Sequence, residues 1–136
     1  MILETIFKLI LAVILASLVG YEREKIHRAA GLRTHILVCL ASTVLTIAPL
    51  SLNLPNIDPT RIAAAIITGM GFIGAGTILH SKGKIIGITT AASLFFIAGI
   101  GILIGFSQYF LATITTILAY LILIEGRKLK RFLRIK

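Results

Sequence analysis

The chain has 136 residues, of which 57% are hydrophobic, and its mean hydropathy is +1.02. Because soluble domains average about 45–50% apolar residues, this composition excludes a soluble globular domain. The formal net charge is +9, but the basic residues stand between apolar runs. That placement favours contact with anionic lipid headgroups over binding of nucleic acid. The single cysteine, Cys39, cannot form an internal disulfide.

Five apolar runs follow one another along the chain, and each approaches the roughly 20 residues that a helix needs to cross a bilayer. The runs do not alternate in the way that transmembrane strands do. The sequence therefore predicts a single all-α integral membrane domain, a bundle of about five helices, in which the first helix continues past its span toward Gly31. The predicted spans are 2–19, 32–50, 62–79, 85–106 and 109–124, and a basic tail follows at 125–136.

The connections between the runs set the predicted orientation. The first, third and last connections carry Lys and Arg, whereas the second, before Arg61, and the fourth carry neither. The positive-inside rule therefore places the N-terminus outside and the C-terminus in the cytoplasm, as an odd number of spans also requires. Lys8 is the exception near the outer end, and we expect its side chain to extend to the membrane interface.

The third run is rich in glycine, at Gly69, Gly71, Gly74 and Gly76. The first three match a dinucleotide-binding spacing, but no strand precedes them and they fall within a predicted span, so we reject that interpretation. Small residues let helices approach closely, and we predict that these glycines pack against other helices. The alternative is a locally unwound helix whose carbonyls line a polar path.

The start of the third helix carries a capping signal. Asp58 is a favourable N-cap residue and Pro59 suits the first helical position. Arg61 follows three residues after Asp58, close enough for an ion pair. The predicted orientation places Asp58 and Arg61 at the outer helix end, roughly 30 Å from the polar residues at the inner end.

Polar residues collect at the predicted inner ends of the first, second and fourth helices. Ionisable groups at membrane depth are costly and are usually paired or functional. Two interpretations remain open. In the first, lipid headgroups solvate the charges at the helix ends, and the hydroxyls bond to the backbone of their own helix. In the second, the groups form a buried network across helices, in which Arg33 pairs with Glu22 or Glu24. We name this set the inner polar cluster: Glu22, Arg23, Glu24, Arg33, Thr34, His35, Thr89 and Thr90.

No motif of catalysis or of metal binding is found in the sequence. The three histidines lack zinc-ligand spacing, and neither a P-loop nor a nucleophile elbow is present. We predict no enzyme activity, no catalytic residue and no cofactor, and we assign no metal ligand. Magnesium is the one ion considered, and a small cation transporter or channel is the alternative function. None of the five acidic residues lies mid-span, which disfavours that alternative.

Five segments of the sequence form an ordered set of motifs. They are Gly20-x-Glu22-Arg23-Glu24, Ala30-Gly31-Leu32-Arg33-Thr34-His35, Asp58-Pro59-x-Arg61, Gly69-x-Gly71-Phe72-x-Gly74-Ala75-Gly76 and Thr89-Thr90-Ala91-Ala92-Ser93. Together these segments resemble the MgtC/SapB family of inner-membrane proteins. The resemblance implies a plasma-membrane protein of about five helices, linked to growth at low magnesium, survival in macrophages and acid tolerance. It further implies action as a homo-oligomer or through a membrane partner, for which the ATP synthase has been suggested in virulence-associated members.

Long members of that family add a soluble C-terminal domain that resembles the ACT fold. This sequence has a short basic tail after the fifth run, so we expect the short form, without that domain. The family often carries a tryptophan soon after the Thr-Thr motif, where this sequence has Phe95. Neither difference affects the predicted fold, but the first puts transfer of the virulence phenotypes in doubt.

Overall fold

The computed structural model is built mainly from five helices, and it confirms an all-α membrane bundle. It describes residues 2–51, 58–81 and 84–132, with the backbone alone at 50, 51, 81 and 127–132. Four of the described helices, the first, second, fourth and fifth, are long and apolar enough to cross a membrane. The elements are α1 (Ile2–Lys25), α2 (Leu32–Ser51), α3 (Pro59–Gly76), β1 (Leu79–Ser81), β2 (Lys84–Ile86), α4 (Ile88–Gly105) and α5 (Tyr109–Phe132).

The helices run alternately between two ends of the bundle. At the end we call the Arg23 end, Arg23 of α1 contacts Thr90 at the start of α4. At the opposite, Lys8 end, Lys8 of α1 contacts Gly105 at the end of α4. Helix α3 returns from the end of α2 to the Arg23 end, where Gly74 packs against Ala91. At 1.5 Å per residue, its 18 residues extend about 27 Å, which is close to the thickness of the hydrocarbon core.

Helix α4 forms the centre of the bundle. It contacts α1, α2, α3 and α5, and 56% of its span is buried, against 28% for α1 and α2 and 11% for α5. The main apolar core joins α4 to α1, α2 and α5. The outer faces of the other helices are apolar and exposed, as expected for surfaces that meet lipid. The buried core residues are Ala12, Leu15, Ala16, Val19, Cys39, Ile97, Ile100, Ile104 and Ala112.

Helix α1 passes its predicted span and ends at Lys25, six residues before Gly31. His27 adopts a left-handed conformation with φ of 54°. Its N–H donates to Glu24 O and the Arg28 N–H donates to Arg23 O, the two bonds of a Schellman motif. The sequence has no glycine at this position to signal a helix end, and the predicted end of the first helix was therefore placed near Gly31. Ser107, with φ of 62°, ends α4 with the same pair of bonds.

A short antiparallel hairpin replaces part of the third and fourth predicted spans. Strand β1 pairs with β2 in a register that sets Leu79 opposite Ile86 and Ser81 opposite Lys84. Helix α3 therefore ends at Gly76 rather than Leu79, and α4 begins at Ile88 rather than Ile85. At the other end of the chain, α5 continues to Phe132, so the predicted tail begins as helix. Residues 133–136 of that tail lie outside the described residues.

The predicted cap of α3 is present. The Asp58 carboxylate accepts hydrogen bonds from the backbone N–H of Thr60, at 2.9 Å, and from its hydroxyl, at 2.6 Å, and Pro59 is the first helical residue. These bonds hold the pKa of the Asp58 carboxyl below its ordinary value. Thr60 is therefore the residue that bonds the Asp58 carboxylate. The expected ion pair between Arg61 and Asp58 is not found among the described residues.

We expect Asp58→Ala to lower the melting temperature by a few degrees between pH 5 and pH 8. Because the folded-state pKa is depressed, the carboxylate stabilises the fold above its unfolded pKa of about 3.9. That stabilisation is lost as the pH falls through the lower, folded-state value. Thermal unfolding of both proteins at several pH values checks this. The gap should narrow toward pH 3. Asp58→Asn also lacks the titrating group, so its gap to the wild type should change by the same amount with pH, but it should be smaller at neutral pH because asparagine keeps an acceptor oxygen. A gap for Asp58→Ala that is unchanged at pH 3 would contradict the assignment.

Candidate functional site

The Arg23 end contains a buried ion pair. Glu22 and Arg23, next to each other at the end of α1, are only 4% and 3% exposed. Arg23 Nη1 lies 3.7 Å from Glu22 Oε2, and Arg23 Nη2 donates to Thr90 Oγ1 of α4 at 3.5 Å. This arrangement matches the buried network across helices, rather than the interpretation of charges solvated by headgroups.

Polar contacts continue from Thr90 to the second helix. Ser93 Oγ donates to Thr90 O at 2.9 Å and lies 3.1 Å from Nε2 of the fully buried His35. His35 Nδ1 lies 2.8 Å from Gly31 O. Since a carbonyl only accepts, Nδ1 carries a proton. The single hydroxyl hydrogen of Ser93 can serve either Thr90 O or Nε2 at one time. The hydroxyls at the start of α4 therefore bond both to their own backbone and across helices.

The remaining members of the inner polar cluster do not join this network. Glu24 Oε2 accepts from the backbone N–H of Leu32 at 2.7 Å and so caps the start of α2. Arg33 is exposed and forms no ion pair among the described residues, so its predicted pairing with Glu22 or Glu24 is not found. Thr34 is half-buried and Thr89 is exposed.

The Lys8 end is closed by a contact that the sequence analysis missed. Lys8 does not extend to the interface: it is 8% exposed, and its Nζ donates to Gly105 O at 3.1 Å. The same Nζ lies 3.1 Å from Glu4 Oε1, and Ser107 Oγ donates to Glu4 at 3.4 Å. A cation at a helix C-terminus satisfies a carbonyl left free there. The spacing of four residues between Glu4 and Lys8 was the available signal.

One of the four α3 glycines packs against another helix of the described chain. Gly74 alone is buried, and a Cβ placed on it would lie 3.6 Å from Ala91 Cβ. A Cβ on Gly69, Gly71 or Gly76 would meet no atom within 4 Å. The helix is continuous through Gly76, so the unwound alternative is not observed either. Gly69 and Gly76 are therefore exposed on one side of α3, with Gly69 beside a cavity that α2 also lines, and Gly71 is exposed on another side.

The close helix approaches occur at other glycines. A Cβ on Gly20 of α1 would lie 2.9 Å from Leu32 Cα, and one on Gly105 would lie 2.5 Å from Thr46 Cβ. A Cβ on Gly101 would clash with Cys39 O. At the same crossing, the Thr43 hydroxyl lies 2.9 Å from Cys39 O and 3.1 Å from Gly101 O. These glycines let α4 and α1 lie directly against α2.

Four of the five acidic side chains each have a separate structural role. Glu4 and Asp58 stand at the start of α1 and α3, Glu24 caps α2, and Glu22 pairs with Arg23. No three His, Cys, Asp or Glu side chains come together among the described residues. The described chain thus presents polar contacts that hold helix ends together, and a magnesium ion would depend on waters or carbonyls for most of its ligands.

Together, the apolar helices, the two polar ends and the short connections define a multi-pass membrane protein. The chain belongs to the MgtC family, whose model matches residues 9–132. The match includes the inner polar cluster, the α3 glycines and the start of α4. No solved structure matches the chain.

Several curated proteins are similar in sequence. A protein named "Putative magnesium transporter YhiD" from Escherichia coli is 42% identical over 127 residues, covering 88% of this chain and 59% of that protein. "Protein MgtC" from Salmonella typhimurium is 41% identical over 113 residues, covering 83% of this chain and 48% of that protein. An uncharacterized protein from Haemophilus influenzae is 41% identical over 121 residues, covering 82% and 50%. The chain thus spans about half the length of these relatives.

Proposed function

We propose that this chain is a non-enzymatic protein of the plasma membrane that supports cells at low magnesium or under acid stress. It acts by binding another membrane protein, with α3 as the contacting helix. Family membership and the magnesium-related name of one relative support the physiological setting. In this proposal the Arg23 end faces the cytoplasm, because most of the basic connections lie there. The membrane ATP synthase, which the family resemblance suggests, is the first partner to look for.

The outward face of α3 is the observation that carries the proposal. Gly69, Phe72 and Gly76 lie on one face of α3 at helical spacing. The two glycines have open space beyond their Cα atoms, and Phe72 is 86% exposed. Helix α3 lies at the rim of the bundle, where it contacts α4 and α2. A glycine surface offers lipid few dispersion contacts, but it lets a second helix approach closely. A transmembrane helix of a partner protein is therefore the occupant that fits this face.

Cation transport is the second candidate. The name of the Escherichia coli relative and the buried carboxylate of Glu22 favour it. Against it, Arg23 lies beside that carboxylate, and the other described carboxylates near helix ends hold the backbone or Lys8. A divalent cation at Glu22 would have to compete with the guanidinium at 3.7 Å.

Growth at low magnesium tests the proposal in a strain that lacks its own family member. We expect Gly69→Leu to abolish rescue at unchanged protein level, because a leucine on the outward face prevents close helix approach. The control is Gly126→Leu on α5, another position with open space around a Cβ. Full rescue by Gly69→Leu would count against the α3 face.

A flux assay in proteoliposomes separates the two functions. The partner-binding proposal expects no magnesium flux from the purified chain, although expression of the same chain in the test strain rescues growth. Flux that is present in the wild type and lost in Glu22→Gln would replace it with the transport function.

A further inference from the structure

A polar cavity opens at the Arg23 end, beside the hairpin. Its volume is about 400 Å³, and two arginines line it, the buried Arg23 and the exposed Arg28. The rest of the wall comes from the end of β2 and the first residues of α4, including Gly87, Thr89 and Thr90. Three other cavities, beside α3, α4 and α5, are lined mainly by apolar side chains, and this one differs from them in its chemistry.

The start of α4 adds positive potential to the same wall. Gly87 is the N-cap residue, in a left-handed conformation with φ of 95°, and no side chain caps the helix. The first intrahelical bond runs from the Ala91 N–H to Gly87 O, so the backbone N–H groups of the next three residues, which also line the cavity, have no intrahelical acceptor. The Thr89 and Thr90 hydroxyls supply further hydrogen-bond donors. Arginine pairs, hydroxyls and a helix N-terminus together suit an anion with several oxygens.

The surroundings of the cavity indicate which anions can reach it. Ile85, Ile86 and Ile88 also line the cavity and are between 50% and 61% exposed. Lys84 on β2 is also exposed. Apolar side chains beside basic ones at the end of a membrane bundle fit the interface, where acyl chains meet charged headgroups. A phosphate group at this depth would therefore arrive on a lipid, or from solution through the Arg28 side.

We propose that this cavity is a binding site for a phosphate group, held by Arg23, Arg28 and the start of α4. Arg23 is fixed in place by Glu22 and Thr90, so its guanidinium is ordered before the ligand binds. Arg28 supplies the second cation from the exposed side. Through Arg28 and the residues before α4, the bound phosphate would link the connection between α1 and α2 to the connection between α3 and α4.

Thermal unfolding of the full chain in a neutral detergent tests the site. Labelling of Cys39, which is fully buried in the folded chain, reports unfolding. The probes are inorganic phosphate, dihexanoyl phosphatidylglycerol and dihexanoyl glycerol, all at constant ionic strength. We expect a saturable rise in melting temperature with phosphatidylglycerol and none with the phosphate-free glycerol. A rise with inorganic phosphate as well shows that the phosphate group is sufficient, and a rise with the lipid alone shows that its chains contribute.

The matched variants are Arg28→Gln and Arg33→Gln, which each remove one exposed arginine from the same end of the bundle. Arg28 lines the cavity and Arg33 does not. We expect Arg28→Gln to weaken the apparent affinity about tenfold or more, the effect of losing a charge-assisted hydrogen bond, and Arg33→Gln to change it less than about twofold. Equal weakening by both variants would show diffuse charge attraction and overturn the site. So would the lack of a saturable rise with either phosphate probe, or an equal rise with dihexanoyl glycerol.

Discussion

Replacing Arg23 with methionine should lower the free energy of unfolding by about 3–5 kcal/mol, because it removes one partner of a buried charge pair. The guanidinium lies 3.7 Å from the Glu22 carboxylate, and both side chains are almost fully buried. Without Arg23, a carboxylate remains at a site shielded from water, and the contact from α1 to Thr90 of α4 is lost. Reversible unfolding in mixed micelles measures this difference.

Two further variants separate the pair from general effects of charge. Arg33→Met removes an exposed arginine at the same end of the bundle, and it should change the stability by less than about 0.5 kcal/mol. The double variant Glu22→Met, Arg23→Met removes both charges and should recover part of the loss. Equal losses in Arg23→Met and Arg33→Met would contradict the buried pair.

The second large effect is expected at Gly101. Gly101→Ala should destabilise the protein by about 1–3 kcal/mol, because the new methyl group would overlap Cys39 O and approach Ser42 Cβ to 2.7 Å. Helices α2 and α4 would have to separate, which would also strain the contacts of Thr43 with Cys39 O and Gly101 O. The same unfolding measurement applies.

Gly99→Ala is the matched control for Gly101, since it makes the same change two residues away on the same helix. A Cβ at Gly99 would meet no atom within 4 Å. We expect the protein to be unchanged or more stable by up to about 1 kcal/mol, since alanine favours helix over glycine. Greater destabilisation by Gly99→Ala than by Gly101→Ala would place the α2–α4 crossing elsewhere.

Much of the fold follows from the sequence because the membrane requires long apolar helices. The five runs correspond to the five helices, and the Asp58 cap was read from two adjacent residues. The helix ends were less predictable. His27 and Ser107 end helices in left-handed conformations that glycine usually adopts, and neither residue signals that choice locally. Leu79 of β1 and the last two residues of β2 were included in the predicted apolar runs, although Gly83 in a short connection between lysines was a turn signal.

The glycines at the close helix crossings could not be predicted for a different reason. The repeated glycines of α3 form a visible pattern, but a Cβ on three of them would meet no atom of the described chain within 4 Å. Gly20, Gly101 and Gly105 occur without a repeat, and their role depends on which atoms of α2 lie opposite. That relation is set by the crossing of two helices, so no local pattern encodes it. The same holds for Lys8, whose acceptor is the carbonyl of Gly105, 97 residues away.

The mass and composition of the complex formed by the full chain in mild detergent test the central claim most directly. The wild type and Gly126→Leu should each retain one membrane protein in fixed ratio, and Gly69→Leu should lose it, at low magnesium. A mass that is a simple multiple of the 14.7 kDa chain, again lost in Gly69→Leu, would make a second copy the occupant of the α3 face. Retention of the same partner by Gly69→Leu, or isolated single chains in all three preparations, would contradict the claim that α3 is the contacting helix.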